Sequence, residues 1–434
     1  MIRSVKPLLL SLLFLCLPSV SGALLYIDIN APGGKLMPVA LPDFVVTSGD
    51  AALARGFPET IGGDLGMTSL FDVIPRQAHL ERIVPEHFGG RPLSFPDWKM
   101  IGAEAVVIGK VETRGDLMTV EMRLYDATLG NMMAGKKYAG PVRRYRKMAH
   151  QFANEVLYAF TGVRGIFDTE IAFSARPEKG RGKEIYVIGL DGQELRQVTD
   201  NRSFNLFPRW SPKATELAYT SYRTGVPQMY LRNLATGKDR LLPQYGNSKS
   251  PGSFSPSGDF LYATLSVKGN SDIYRVSLTG SAVQKVVGGW GIEVSPSVSP
   301  DGKSVAFVSN RSGSPQIYVK DNDSSDGRRV SQAGNYSTSP SWSPAGDRIA
   351  FTSLTGGKYS IYTVRPDGSD QRLAVSDNGD CVDPSFSPDG RYLVYTLRKS
   401  GYSELKIASV DGRWKRGLFK GLSAVGSPSW SPRQ

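Results

Sequence analysis

Hydrophobic positions change their spacing several times along the first third of the chain. Leu8 to Leu17 is almost wholly apolar, with Arg3 and Lys6 before it and Pro18 ending it. Small residues follow at Ser19, Ser21, Gly22 and Ala23, so residues 1–22 read as a cleaved export signal. The run is short for a membrane span. Cys16 does not mark a lipoprotein, because Leu15 stands where a small residue is needed. Leu25-Tyr-Ile-Asp-Ile29, Met37-Pro-Val-Ala-Leu41 and Ala105-Val-Val-Ile108 read as strands. So does Leu117 to Tyr125, where Met118, Val120, Met122 and Leu124 alternate with polar positions. Between Ala51 and Leu70 the pattern suits two short helices interrupted at Gly56, Pro58 and Gly62-Gly63. Arg143 to Phe160 is a helix with Tyr145, Met148, Ala149, Phe152, Val156 and Leu157 on one face. Arg143, Arg144, Arg146 and Lys147 read as its solvated start. Residues 23–162 are thus expected to form a small α/β domain.

A different pattern takes over beyond residue 163. Ser-Pro recurs at 211–212, 255–256, 299–300, 343–344, 387–388 and 431–432, always 44 residues apart. An aromatic or apolar residue precedes it, as in Pro208-Arg-Trp210 and Pro384-Ser-Phe386. A glycine turn follows, as in Asp301-Gly302 and Asp389-Gly390. Two short β-rich runs come next, such as Val305-Ala-Phe307 and Gln316-Ile-Tyr318, and a fourth ends the unit, such as Gln371-Arg-Leu-Ala374. Proline pre-sets φ at the turn and glycine accepts positive φ, so the chain reverses tightly. Four strands in this length make one β-propeller blade.

The ends of the array interlock. Residues 170–199 carry three strands of a blade with no Pro-x-Trp-Ser-Pro strand before them, and that strand stands at the C-terminus as Pro428-Ser-Trp430-Ser-Pro432. Residues 163–434 are therefore expected to close as a six-bladed propeller, which removes exposed sheet edges. The fold class is multidomain, α/β followed by all-β.

Composition adds compartment and partner class. The net charge is +12, and +10 without Arg3 and Lys6; export argues against nucleic acid, and the excess reads as scattered surface charge. Only Cys381 remains after the signal, so no internal disulfide is expected, which suits a bacterial periplasm and a domain held by its core. No second long apolar run follows, so the mature chain is expected to be soluble.

Candidate chemistry is sparse. The three histidines, His79, His87 and His150, all precede the propeller, which leaves no Ser-His-Asp triad within it. A peptidase behind such a propeller needs a further α/β unit, and none follows the closing strand here. His79 and His87, near Glu81 and Glu86, fit no standard metal spacing. Asp321-Asn-Asp323-Ser-Ser-Asp326-Gly327 resembles a calcium loop, but Ser325 and Gln332 fill positions five and twelve, so it reads as a blade turn. Cys381 reads as a shielded small residue. No catalytic, cofactor or metal residues are assigned.

The order of parts resembles one family. An export signal, an α/β domain, the segment Gly162-Val-Arg-Gly-Ile-Phe-Asp-Thr-Glu-Ile-Ala-Phe173 and Pro-x-Trp-Ser-Pro blades resemble the Tol–Pal system translocation protein TolB family. Tyr26-Ile-Asp-Ile-Asn-Ala-Pro-Gly-Gly34 and Ser69-Leu-Phe-Asp-Val-Ile-Pro75 are similar to it as well. The resemblance implies a periplasmic, monomeric adaptor without cofactor or enzymatic activity. It implies that the peptidoglycan-associated lipoprotein Pal docks on one mouth of the propeller and that the N-terminal region signals to inner-membrane TolA. It also implies support of outer-membrane integrity and division, and use by some bacteriocins for entry.

Propeller geometry suggests the residues at that mouth. Loops before the innermost strands contribute Asn205, Lys249, Glu293, Thr338 and Asp383, and loops joining the second and third strands contribute Arg176, Arg223, Arg311 and Arg398. Two readings stand side by side: the arginines hold acidic groups of a partner, or each braces its own loop. Blade three departs with Gly252 and Lys268-Gly-Asn270, and blade five with Leu354-Thr-Gly-Gly357. A peptidoglycan-binding propeller, with Tyr222, Tyr336 or Tyr402 stacking on sugars, and an enzyme working in the central channel are the alternatives.

Overall fold

The computed structural model describes residues 36–177, 182–324, 326–332 and 334–433. The export signal expected at 1–22 and the strand expected at 25–29 lie outside them. Among the described residues, nine strands and α-helices precede the repeat: β1 (Met37–Ala40), β2 (Val45–Ser48), α1 (Leu53–Met67), β3 (Phe71–Val73), α2 (Phe95–Met100), β4 (Ala105–Arg114), β5 (Leu117–Asp126), β6 (Met132–Pro141) and α3 (Tyr145–Thr161). They form one mixed sheet in the order β3-β1-β4-β5-β6, with β2 also on β4. Pairs of β1 and β2 are parallel, and β4-β5-β6 is an antiparallel meander. The alternation along β5 comes out as expected, with Met118, Val120, Met122 and Leu124 buried against α1 and α3. On the other face Trp98 of α2 packs over Ala40, Val106 and Ile108.

Residues 51–70 differ from expectation, forming one helix that runs through Pro58. A proline there frees the carbonyl four residues back. That carbonyl, Ala54 O, instead accepts a hydrogen bond at 2.9 Å from Phe44 N–H, so nothing is left unpaired. The glycines serve packing: a Cβ on Gly56 would stand 3.0 Å from the Tyr145 ring, and one on Gly62 3.1 Å from Leu41. Helix α3 begins at Tyr145, because residues 142–144 form a separate 3₁₀ turn, and it ends at Gly162 in the left-handed region (φ 67°).

The repeat closes into six four-stranded antiparallel sheets. Blade one pairs Ser423–Trp430 from the C-terminus with Glu170–Arg176, Glu184–Gly189 and Arg196–Gln197. Blades two to six begin at the innermost strands Asn205–Trp210, Ser248–Phe254, Glu293–Val298, Tyr336–Trp342 and Asp380–Phe386. Among the described residues, no helix is long and apolar enough to cross a membrane.

Both serines of the motif are structural. The serine of each Ser-Pro accepts a backbone N–H five residues on, from Ser211 (3.1 Å from Glu216 N) to Ser387 (2.9 Å from Tyr392 N). At the closure the same bond spans the chain ends, with Glu170 N–H donating to Ser431 Oγ at 3.0 Å. The other serine, two positions earlier, links blades: Ser253, Ser297, Ser341 and Ser385 accept from Val298, Trp342, Phe386 and Trp430 N–H. Blade two has Arg209 there, and its Nε donates to Gly252 O at 2.7 Å.

Every innermost strand carries a bulge, seen as a register shift at 206/209, 251/253, 294/297, 338/341, 382/385 and 426/429. Phe207, Ser295, Ser339, Asp383 and Ser427 hold positive φ at that point, each just before a proline. A proline within a strand donates no ladder bond, and the bulge places it where none is needed.

Candidate partner-binding face

The two faces of the propeller are occupied differently. Against one, the α/β domain packs at blades one and six, where Phe57, Leu65, Phe152 and Phe160 share a core with Tyr392, Leu418 and Trp430. A charged cluster sits in this seam. His150 Nδ1 lies 2.6 Å from Asp64 Oδ2, and its Nε2 lies 3.4 Å from Asp191 Oδ2 in a turn of blade one. Arg146 donates to the same Asp191 oxygen through Nε at 2.9 Å and through Nη2. From blade six, Arg416 Nη2 donates to Leu190 O at 2.8 Å. Burial opposes charge on His150, but Asp64 and Asp191 outweigh it and push the imidazole up to about 10. Burial pushes the Asp64 carboxyl up to about 6 against the pull of His150. Burial also opposes ionisation of Asp191, yet His150 and Arg146 hold it well below the usual carboxylate range. Arg146, expected at a solvated helix start, is therefore an interdomain contact. Composition does not show such a role, which depends on a carboxylate 45 residues away.

The opposite mouth holds the residues singled out in the sequence, and the structure sorts them. Asn205, Lys249 and Glu293 stand at one repeat position within the innermost strands, not in the loops before them. All three are buried. Asn205 Nδ2 donates to Glu184 Oε2 at 2.8 Å and Lys249 Nζ to Gln228 Oε1 at 2.9 Å, each reaching the preceding blade. Glu293 Oε1 accepts from Arg311 Nη2 at 2.9 Å and from Ser309 Oγ at 3.1 Å. Thr338 and Asp383 stand one and two residues further along, half-buried. Their blades place Ser337 and Cys381 at the shared position; burial pushes the Cys381 thiol up to about 11.

The arginines divide as well. Arg223 lies 3.6 Å from the Tyr230 ring centroid and pairs with Asp239 at 2.9 Å, and Arg311 joins Glu293 and Asp326. Arg176 and Arg398 are exposed at strand ends, with Arg398 3.2 Å from Asp383. Blades three and five make two-residue hairpins at Lys268-Gly269 and Gly356-Gly357, all at positive φ, so no arginine-bearing loop exists there. Removing Arg311 leaves Glu293, fully shielded, without its cation. Arg311→Ala is therefore expected to cost about 3–5 kcal/mol, read as a lowered urea midpoint; a loss under about 1 kcal/mol would show that the pair is not a brace.

Aromatic residues crowd the same mouth. Trp290 is 83% exposed on a glycine-flanked loop, and Ile292, Tyr245, Tyr222 and Phe204 are exposed as well. Sequence reasoning passed over Trp290, although an indole between Gly289 and Gly291 is a signal. Below lies a channel of about 480 Å³, lined by the serines and prolines of the innermost strands with Arg209 and Asp383.

The remaining candidates have internal roles. Glu81 Oε2 accepts from Trp98 Nε1 at 2.7 Å and from Ser94 N–H at 3.0 Å, while His87 Nδ1 accepts from Val84 N–H at 3.1 Å. His79 stacks edge-on against Trp98. Asp321 ends a strand and accepts from Ser304 Oγ at 2.6 Å and Arg328 Nη1 at 2.8 Å.

This arrangement of domain and propeller has close counterparts. Residues 158–434 match the family model described as the TolB beta propeller domain, and residues 25–133 match the TolB amino-terminal domain. This chain belongs to the TolB family. It is 36% identical over 292 residues to the Tol-Pal system protein TolB of Desulfosudis oleivorans, covering 66% of each chain. To the protein TolB homolog of Chlorobium chlorochromatii it is 33% identical, over 68% of this chain and 66% of that one. The chain thus spans slightly under two thirds of the length of these relatives. The crystal structure of TolB from Acinetobacter baumannii superposes with a TM-score of 0.74 at 26% identity, covering 92% of this chain and 97% of that one. The TolB-family chain has the architecture expected of it, an α/β domain followed by a six-bladed propeller.

Proposed function

We propose that this chain is the periplasmic adaptor of a Tol–Pal complex, acting by binding and not by catalysis. The lipoprotein Pal docks on the propeller mouth turned away from the α/β domain. The N-terminal region engages inner-membrane TolA, and the adaptor supports outer-membrane integrity and constriction at division. The observation that carries this reading is the separation of the two ends. One face is committed to the α/β domain through a buried core and the His150 cluster, while the other displays Trp290 and the exposed Arg176 and Arg398. Of the mouth residues, Arg176, Thr338, Asp383 and Arg398 form the contact surface. Asn205, Arg223, Lys249, Glu293 and Arg311 hold its shape.

Calorimetric titration of the full mature chain with acyl-free Pal from the same organism tests the reading. Saturable one-to-one binding is expected, unaffected by substitutions on the α/β-domain side of the propeller. Absence of binding would overturn the assignment and favour peptidoglycan fragments as the ligand, with Tyr222, Tyr336 and Tyr402 as stacking groups.

A further inference from the structure

Chemistry around the free mouth is not uniform. On the arc of blades two to four, large apolar side chains are exposed, Tyr222, Tyr245, Trp290 and Ile292 with Phe204 before blade two, beside the exposed cations Arg202, Arg223 and Lys268. Their loops are anchored from below. Asn270 Nδ2 donates to Gly289 O at 3.0 Å, and Ile292 N–H donates to Asn310 Oδ1 at 2.8 Å, so Trp290 projects from a braced loop.

On the arc from blade five through six to one, the exposed and half-buried groups include a run of cations, Lys358, Arg398, Lys399, Lys420, Arg176 and Lys183, with the exposed rings of Tyr336 and Tyr402 among them. The carboxylates among them are fewer or engaged. Asp383 accepts from Ser339 Oγ and Arg398, Asp377 pairs with Lys406 and Lys415, and Asp380 accepts from Tyr359 N–H; Glu404 is half-buried. Lys358, Arg398 and Lys399 share a cleft with Asn378, Gly379 and Asp380. Burial holds the Lys183 ammonium below the usual lysine range, helped by the charges of Arg398 and Arg176 and opposed by that of Asp383. Three cations on one solvent-facing cleft favour a ligand that brings carboxylates.

We propose that this mouth reads its partner in two halves: an aromatic arc anchored by Trp290, and a basic arc over blades five, six and one, centred on the cleft between blades five and six, that takes an acidic segment. The partner is a protein surface carrying carboxylates beside a hollow for an indole. The proposal rests on the reading of this mouth as the partner site. A lipid surface also attracts tryptophan and lysine, but here the cations line a cleft, which suits a protruding segment better than a flat membrane.

The two arcs contribute differently to kinetics. A desolvated tryptophan acts as an anchor felt in dissociation, whereas rim charges govern association and its salt dependence. With the full chain and acyl-free Pal, Trp290→Ala is expected to weaken affinity about 30-fold, mainly through faster dissociation. Arg176→Ala combined with Lys399→Ala is expected to slow association about tenfold at low salt and to flatten its salt dependence. Both variants alter exposed or half-buried side chains and should melt with the wild type; Leu373→Ala, on the outer strand of blade five, serves as a control without effect. Wild-type binding that neither variant changes, or that only one changes, would overturn the two-part recognition while leaving Pal as the partner. Failure of the wild type to bind would remove the underlying reading instead. Binding to phosphatidylglycerol vesicles that both variants abolish would overturn the proposal in favour of a membrane surface.

Discussion

A chain shortened to end at Gly421 is expected to lose the cooperative fold of its propeller. Without Ser423–Trp430, the strand Glu170–Arg176 becomes an open inner edge, and blade one cannot complete its sheet. The truncation also removes Trp430 from the core shared with the α/β domain, together with its Nε1 bond to Thr169 Oγ1 at 2.9 Å and its backbone bond to Ser385. An unpaired strand edge beside exposed apolar surface invites association between chains. Size-exclusion chromatography should show aggregated material, and thermal melting should lack a sharp transition. Trp430→Ala keeps the strand and isolates the side chain; it is expected to cost about 3–5 kcal/mol. A truncated chain that elutes as a monomer and melts near the wild type would show that closure contributes little.

Asp191→Asn should be the most damaging substitution in the seam between domains. Asp191 is the counter-ion of Arg146 and faces His150, and those two side chains are mostly shielded from water. Breaking such a pair is expected to cost about 3–5 kcal/mol, seen as a lower urea midpoint of the intact chain. His150→Gln adds a pH signature. The imidazole is raised from 6.5 to about 10 in the folded chain, so its stabilisation is complete below pH 6.5 and fades as pH rises towards 10. Asp191 runs the other way: its folded pKa is depressed, so its contribution is present above the unfolded carboxylate range and lost in strong acid. Asp64, raised to about 6, favours the folded state in its protonated form, and that contribution fades as pH climbs through 6. The difference in melting temperature between wild type and His150→Gln should therefore shrink from pH 6.5 to 10. A difference that stays constant over that interval would show that His150 is not held protonated by the seam.

The mouth proposed to take a partner and the face that docks the α/β domain are separate surfaces of this TolB-family chain. Docking relies on a dry core sealed by a few well-placed charges, so it tolerates little substitution. The free mouth carries exposed groups on a scaffold braced by Asn205, Lys249 and the Glu293–Arg311 pair. Loops held by buried hydrogen bonds can vary their outer side chains without loss of shape.

How far these features could be read from the residues depends on the distance over which they act. The 44-residue spacing of Ser-Pro and the displaced Pro428-Ser-Trp430 strand determined the blade, its count and its closure, and the alternation along Leu117 to Tyr125 determined a strand of the α/β domain, because each is a local rule repeated. The bulges were legible in principle, since a proline inside an innermost strand requires one. Continuity of α1 through Pro58 was not, because Phe44 supplies the missing bond from outside the helix. Nor was the burial of Asn205, Lys249 and Glu293, which reading along the chain placed in loops: their partners lie on a neighbouring blade or an adjacent strand. The seam of Arg146, His150, Asp64 and Asp191 joins groups far apart in the chain. Periodicity along one chain determined the architecture. Only the tertiary structure decided which charges are spent on bracing and which stay at the surface, because pairing depends on distances that sequence order does not contain.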